Sequence, residues 1–339
     1  MPIQESNLTF YPSALVSYQT ASQNGGVMAG TGKIVTNVME NLFPNISNSE
    51  RSSGSGKRRK VFAKIETDPL IAALNGKVFI DKLSSGDDYF LLHFTGSQID
   101  VESDLSNPRH YGIGTLKTDV AVGATSLTVV LEHAGAESLQ PFKANDALYI
   151  AAKESYNSNG NAEFVTVSAT EVNYSNGEAS ILLAAGTKFA WSAGANVASV
   201  ITVSEVKPTA ADFIVTSAAG TFTSTGNVTL NGFATIHQTW TLTITDGATG
   251  SFRLDGDTLG SGVATGNIGS DFAPNNGDFS KPFFTLAAAG WGGSWATNDT
   301  LEFSTDPAAL PFWVKRVVPA GAASTSYSAL SLAFVVESL

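Results

Sequence analysis

The stretch Ile236-His237-Gln238-Thr239-Trp240-Thr241-Leu242-Thr243-Ile244-Thr245 decides the fold class of this chain. Its large apolar residues alternate with His237 and a series of threonines. Because successive side chains of a strand point to opposite faces, this period of two predicts a β-strand with one buried and one wet face. We therefore expect an antiparallel sheet that meets solvent on one side.

Short runs of the same kind recur along most of the chain, separated by Asn-Gly and Ser-Gly-Asp-Asp turns. Convincing helical periodicity is scarce, and closely spaced turn signals between short strands are typical of sandwiches and barrels. We predict a mostly β chain with two to three β-sandwich or β-barrel domains and an extended N-terminal arm. The other predicted strands are Val61–Ile65, Lys77–Leu83, Tyr89–Phe94, Leu127–Leu131, Ala147–Ile150, Glu163–Ser168, Ser180–Leu183, Val197–Val203, Trp313–Val318 and Leu330–Val336.

Changes in composition suggest the domain boundaries. Residues 1–60 are rich in Gly, Ser and Asn, and we expect an extended arm with a basic strip and a short helix over Ile34–Leu42, ordered by a partner surface. Residues 61–117 are expected to form a β-domain, which strands within 311–339 can complete by returning to it. Residues 118–206 are expected to form a small barrel or sandwich, and residues 207–310 a β-sandwich.

Composition and charge narrow the range of functions. The chain has 339 residues, of which 43 % are hydrophobic and only 14 % charged, so it can fill real cores. It has no cysteine, which excludes disulfides, thiolate zinc sites and cysteine nucleophiles. The net charge is −11, and residues 121–339 hold 8 basic against 18 acidic side chains. We expect no nucleic-acid or membrane partner, and synthesis and folding in a cytoplasm.

The sequence offers little for catalysis. Its four histidines are separated by at least 17 residues, and neither a nucleophile elbow nor a metal-binding His pair is present. Asp255, Asp257, Asp271 and Asp278 lie in a Gly-rich region whose oxygens can supply a calcium site, although Asp-Gly pairs are also ordinary turn residues. Both interpretations remain open at this stage. We expect no enzymatic activity and no cofactor.

A basic cluster stands out before the first strong strand. Six of the 19 basic residues fall within fourteen positions, and we take five of them as a predicted assembly interface: Arg51, Lys57, Arg58, Arg59 and Lys60. Because the rest of the chain is acidic, the cluster can dock on the body of a second copy. A phosphate-binding patch and a solvated loop are the alternatives.

An aromatic cluster supplies the second predicted interface set. Phe283, Phe284, Trp291 and Trp295 lie in a Gly-rich stretch between Pro282 and Trp295. Such rings can fill a pocket on a neighbour or cover the edge of their own core. Stacking on a sugar is a further alternative for them.

Two regions of the sequence resemble a known family. The matching segments are Asn24–Gly26, Asn41–Pro44, Ser49–Phe62, Asp271–Asn276, Lys281–Phe284, Trp291–Gly293, Thr305–Ala308 and Lys315–Gly321. They resemble virion structural proteins of contractile-tailed bacteriophages, and the resemblance extends through most of the chain, least distinctively in its middle.

The resemblance implies a non-enzymatic protein of the virion, assembled in the bacterial host cytoplasm. Members of this family, sometimes called ripcord proteins, are thought to form a ring in the baseplate region between tail tube and sheath. Six copies are expected from the sixfold symmetry of such tails, with tube, sheath and baseplate proteins as further partners. The alternative is a β-sandwich module that decorates the capsid or binds a host glycan.

Overall fold

The computed structural model describes residues 2–68, 70–71, 73–133, 135–153, 158–324 and 328–338, and the chain is mostly β, with 48 % of it in strands. The first part of the chain forms strands β1 (Leu8–Leu15), β2 (Gly25–Met28), β3 (Ser55–Ile65), β4 (Ala73–Lys82) and β5 (Tyr89–His93), with helix α1 (Asn48–Ser53) before β3. The middle forms β6 (Ile113–Leu116), β7 (Ser126–Leu131), β8 (Ala147–Ala151), β9 (Ala162–Thr166), β10 (Asn173–Ser175), β11 (Glu178–Leu182) and β12 (Asn196–Val206).

The remaining strands belong to a third unit and to the return of the chain. The third unit contains β13 (Thr209–Thr216), β14 (Ala219–Phe222), β15 (Val228–Leu230), β16 (Gln238–Asp246), β17 (Ser251–Gly256), β18 (Gly260–Asn267), β19 (Asn275–Asn276), β20 (Lys281–Pro282), β21 (Phe284–Leu286), β22 (Trp291–Ser294) and β23 (Thr300–Asp306). The returning strands are β24 (Ala309–Val318) and β25 (Ser331–Ser338).

Strands from both ends of the chain form what we call the body. The first sheet has the order β2-β1-β3-β24-β5, and all its pairings are antiparallel. β25 pairs with β4 in the second sheet. One apolar core joins the first sheet to β4, β12 and β25, with Phe79, Phe90, Phe312 and Phe334 among its residues. The body is therefore discontinuous in sequence, and the middle and third units lie between β5 and β24.

The middle unit is a small barrel. Its strands curl around a separate core that includes Val129, Phe142 and Trp191. The segment after β9 meets the segment around β11, where Ser168 N–H donates to Leu182 O at 2.8 Å, so the sheet nearly closes. β12 serves both units, because its first residues pair with β6 and β8 and its later residues with β4.

The third unit has the sheet order β13-β23-β16-β17-β18, with three two-stranded ribbons around it. Along β16, every second residue from Gln238 to Ile244 is buried, and the threonines between them are partly exposed. The alternation predicted for this strand is confirmed. Trp240 lies in an aromatic core whose most deeply buried rings come from β16, β17, β21 and β23.

The N-terminal part of the chain is not the arm predicted over residues 1–60. β1, β2 and β3 are strands of the first sheet, and β3 lies at its centre. The short helix is also placed differently: it is α1 rather than Ile34–Leu42, because Ser47 and Glu50 form a reciprocal capping box at its start. Ile34 and Leu42 instead pack on the body core as part of an irregular segment that crosses it.

No helix among the described residues combines the length and the apolar character needed to cross a membrane.

Candidate functional site: the buried ion network of β3

Five of the six residues of the basic cluster lie on β3, and the strand alternation separates their side chains. Val61, Ala63 and Ile65 point into the body core. Residues at even positions share the opposite face, where the register places Lys60 beside Trp313 of β24. We call this the cation face of the first sheet, and its members are Arg58, Lys60, Phe62, Lys64, Trp313 and Lys315.

Lys60 is fully enclosed at the centre of the cation face. Its Nζ lies 2.6 Å from Asp100 Oδ1 and donates to Gly26 O at 2.8 Å. Asp100 Oδ2 accepts a hydrogen bond from Trp313 Nε1 at 2.8 Å. Burial lowers the pKa of Lys60, while the hydrogen bond and charge of Asp100 act against that change. The pair is thus a buried ion pair with additional hydrogen bonds.

The loop that covers Lys60 requires glycine at position 25. Gly25 has a φ of +114°, which side chains rarely adopt, and a Cβ there would lie 2.6 Å from the Trp313 ring. Gly26 N–H donates to Asp100 O at 2.9 Å, which fixes the loop over the ammonium. The sequence Asn24-Gly25-Gly26 therefore forms the lid of the ion pair.

Lys64 connects the body to the third unit. Its Nζ donates to Phe233 O at 2.6 Å, lies 3.9 Å from the centroid of the Phe279 ring and is 3.8 Å from Glu66 Oε1. Burial is the main cause that lowers the pKa of Lys64 to about 8. The third unit is thus held against the body by an enclosed cation.

Glu66 is the carboxylate that balances this junction. Tyr11 O–H donates to Glu66 Oε1 at 2.7 Å, and Lys33 Nζ lies 2.5 Å from Glu66 Oε2. Burial, together with the hydrogen bond to Glu66, raises the pKa of Tyr11. Because the partners come from β1, from β3 and from the segment after β2, the junction fixes three parts of the chain at once.

Helix α1 and the outer end of β3 carry the remaining basic residues, and each of them has a partner within the chain. Lys57 Nζ lies 2.7 Å from Glu50 Oε1, and Arg58 Nη1 donates to Glu102 Oε1 at 3.0 Å. Arg51 Nη1 donates to a backbone carbonyl of the loop before α1 at 2.9 Å. These three side chains are partly exposed.

Arg59 is buried among polar and aromatic groups. Its guanidinium lies 3.9 Å from the centroid of the Tyr18 ring and donates to Asn24 Oδ1 at 3.2 Å. Only 7 % of Arg59 is exposed, and none of Lys60. The prediction that these two residues form a docking strip for another copy is therefore corrected, because packing within the chain covers them.

The predicted aromatic interface is likewise part of a core. Phe283, Phe284 and Trp295 are buried in the third unit. Trp291 is partly exposed, but its ring packs against Trp295 at 5.1 Å and against Phe222 at 5.1 Å between centroids. The prediction that these rings fill a pocket on a neighbouring copy is therefore wrong for Phe283, Phe284 and Trp295, which are buried within their own chain.

Three of the four aspartates considered for calcium, Asp255, Asp257 and Asp271, have separate partners, and Asp278 is not grouped with them. Asp255 pairs with Arg253, and Asp257 accepts hydrogen bonds from Gln238 and from two backbone N–H groups. Asp271 accepts from Ala288 N–H. The described residues contain no group of three or more His, Cys, Asp or Glu side chains arranged to hold a metal ion.

The histidines lie in three different places. His93 and His110 have ring centroids 4.6 Å apart beside the cation face, and His237 Nδ1 lies 2.6 Å from Asp306 Oδ1. His133 stacks on Tyr89 with centroids 3.4 Å apart, beside a cavity of about 360 Å³ that Val317 and Pro319 also line. Sequence reasoning brought none of these pairs together.

Sequence reasoning also missed the residues that enclose the cations, namely Asp100, Glu66 and Trp313. One signal was available: lysines at positions 60 and 64 share a face with Phe62, which indicates a covered face rather than a solvated loop. Asp100 lies 40 residues beyond Lys60 and leaves no local pattern, whereas Glu66 lies only two residues beyond Lys64. Comparison of the chain with protein-family models, curated proteins and solved structures found no match.

Proposed function

We propose that this chain is a structural component of a contractile bacteriophage tail, where copies of it form a ring in the baseplate region between tube and sheath. Support comes from the segments that resemble such proteins and from the architecture. Two β-units extend from a body whose buried ion pairs hold strands from both chain ends. A chain built this way offers several separate surfaces to neighbouring tail proteins.

The observation that carries the proposal is a pair of open strand edges on different units. In the sheets formed by the described residues, β18 of the third unit pairs only with β17, and β25 of the body only with β4. β18 has the sequence Gly-Ser-Gly-Val-Ala-Thr-Gly-Asn, with neither a charge nor a proline. Such an edge is a template for pairing with another chain.

The opposite edge of the same sheet is different. β13 carries a bulge between Ala211 and Ile214, with Asp212 at a φ of +57°. Bulges and charged residues protect edges from pairing, so this edge is blocked whereas the β18 edge is open. When two distinct surfaces of one chain meet head to tail, the contact repeats and closes into a ring if the rotation fits. The resemblance implies six copies.

A single backbone N–H provides a direct test. Ile268 N–H donates to Gly250 O, so alternate residues of β18 point their N–H groups toward β17 and Thr265 points its own to the open edge. Thr265→Pro removes that donor, while Thr265→Val retains it with a similar side-chain shape. We expect ring assembly of Thr265→Pro to need at least about ten-fold more protein, and Thr265→Val to change it by less than about two-fold.

Native mass measured over a range of protein concentrations is the readout. Equal assembly of the two variants, or a wild-type chain that stays monomeric throughout, would contradict the proposed contact. Deletion of residues 1–60 is unsuitable as a test, because it removes β1, β2 and half of β3 from the first sheet.

A further inference from the structure

Two cations oppose each other on the cation face. Arg58 of β3 and Lys315 of β24 are directly paired in the antiparallel register. Like charges at such a position repel and are destabilising. Lys315 is half-buried, and burial, followed by the charge of Arg58, lowers its pKa. The aliphatic part of Lys315 lies over Gly56, where a Cβ would meet its Cε at 3.5 Å.

Two histidines face the same pair of cations. His93 is fully buried on β5, and its Nδ1 lies 3.2 Å from Arg109 O, so that Nδ1 carries the proton and donates it. Its Nε2 is buried without a hydrogen-bond partner. Burial lowers the pKa of His93 to about 3 and that of His110 to about 4, and the charges of Arg58 and Lys315 add to both changes. The imidazoles are therefore held neutral.

Carboxylates pair directly with the arginines of this region, whereas the charge of Glu102 acts on Lys315 only without direct contact. Arg58 pairs with Glu102, and both terminal nitrogens of Arg109 donate to Asp146. Within the described part of the chain, Lys315 has no carboxylate within 4.0 Å. The exposed Lys143 adds positive charge that acts on His110. The cluster thus has an excess of positive charge and an unpartnered buried nitrogen.

We propose that Arg58, Lys315, His93 and His110 form a binding site for a small oxyanion, of carboxylate or phosphate type. Lys315 supplies the unmatched charge, and Arg58 Nε is a further buried donor without a partner. A bound anion stabilises the imidazolium form, so His93 takes up a proton and its Nε2–H becomes a donor. Lys315 and His110 are partly exposed, which gives the anion a route from solvent.

The test is a titration of the full chain with inorganic phosphate at constant ionic strength, followed by the NMR signals of the histidine rings. We expect saturable shifts of His93 and His110 and an upward movement of the pH at which His93 titrates. Lys315→Met should weaken phosphate binding at least about ten-fold, and Lys315→Arg should restore it to within about three-fold. Lys117→Met, which removes an exposed lysine of the barrel, is the control and should leave affinity unchanged.

A second measurement guards against misfolding of the variant. Because Lys315→Met removes an unmatched charge, it should raise the melting temperature without phosphate and abolish the further rise that phosphate gives the wild type. Shifts that do not saturate, or equal shifts in wild type and Lys315→Met, would overturn the site.

Native mass distinguishes two sources of the oxyanion. If an acidic side chain of a second copy occupies the site, phosphate should compete with it and lower the mass, and Lys315→Met should do so without phosphate. If the occupant is a free anion, mass should be unaffected while the histidine shifts persist. The site does not depend on the proposed ring, because phosphate binding by a monomer supports it even where assembly fails.

Discussion

β3 and β16 are both central strands of five-stranded antiparallel sheets, and both carry polar side chains on one face, yet those side chains differ in their exposure to solvent. The threonines of β16 meet solvent, whereas Lys60 and Lys64 of β3 are fully enclosed. The difference lies in what covers each face. A glycine loop and Asp100 cover Lys60, and the third unit covers Lys64. Alternation thus identifies residues that share a face, but it does not show whether another part of the chain packs on it.

The largest effect is expected from removing the carboxylate of Asp100, which is the counter-ion of Lys60 under the glycine loop. Asp100→Ala leaves Lys60 buried without its counter-ion and also removes the acceptor of Trp313 Nε1. We expect a loss of about 3–5 kcal/mol in the free energy of unfolding, measured by urea denaturation with tryptophan fluorescence. Glu171→Ala, at an exposed site, is the control and should cost less than about 0.5 kcal/mol. If Asp100→Ala lowered the free energy of unfolding by no more than Glu171→Ala does, Lys60 would be hydrated in solution.

The pH dependence of the free energy of unfolding tests whether Lys64 is enclosed. Its folded-state pKa of about 8 lies below the ordinary 10.5, so between pH 8 and 10 the unfolded chain binds more protons than the folded one. The free energy of unfolding should therefore rise with pH in this window, by about 1–3 kcal/mol. Tyr11 has the opposite effect above pH 10, because its pKa is raised in the fold.

Lys64→Met should flatten this rise, although the lowered pKa values of Lys60 and Lys315 leave part of it. Urea denaturation at pH 8 and at pH 10 supplies the comparison. An equal rise in wild type and variant would mean that Lys64 is solvated or that the third unit separates from the body before unfolding.

The two strands also show how far sequence reasoning reaches. The mostly β fold and the alternation of β16 follow from a local period of two. The enclosure of Lys60 does not, because Asp100 lies 40 residues further along the chain. The position of β3 at the sheet centre depends on pairing with β1 and β24, which come from opposite ends of the sequence. Parts of the interfaces predicted from charge and aromatic content, among them Lys60 and Phe284, are therefore interior once long-range pairing places them.

The partly buried carboxylate of Glu132 gives a smaller effect of the opposite sign. Burial and the charge of Asp88 raise the pKa of Glu132 to about 8, while a hydrogen bond from Ser84 N–H acts against them. Between its ordinary 4.5 and pH 8, the folded chain binds more protons than the unfolded one, so stability should fall as pH rises. The expected contribution is on the order of 1 kcal/mol, since Glu132 is only partly buried.

Glu132→Gln tests this step, because the amide cannot ionise. Thermal melts at pH 5 and pH 7.5 should show a smaller difference for Glu132→Gln than for wild type, and Glu171→Gln should behave as wild type. An unchanged difference in Glu132→Gln would assign the pH dependence to other groups.

The smallest effect is expected on the wet face of β16, where it tests whether that face is truly open. Thr241 is partly exposed, and Thr241→Val keeps the side-chain shape while replacing the hydroxyl by a methyl group, so the free energy of unfolding should change by less than about 0.5 kcal/mol. The matched enclosed hydroxyl is Ser199, which accepts from Gly112 N–H at 2.9 Å and is 1 % exposed. Ser199→Ala leaves that N–H unsatisfied and should cost about 1–3 kcal/mol. Equal losses in the free energy of unfolding for the two variants would mean that the threonine face of β16 is covered in the isolated chain. β3 and β16 would then differ only in the charge of the residues on that face.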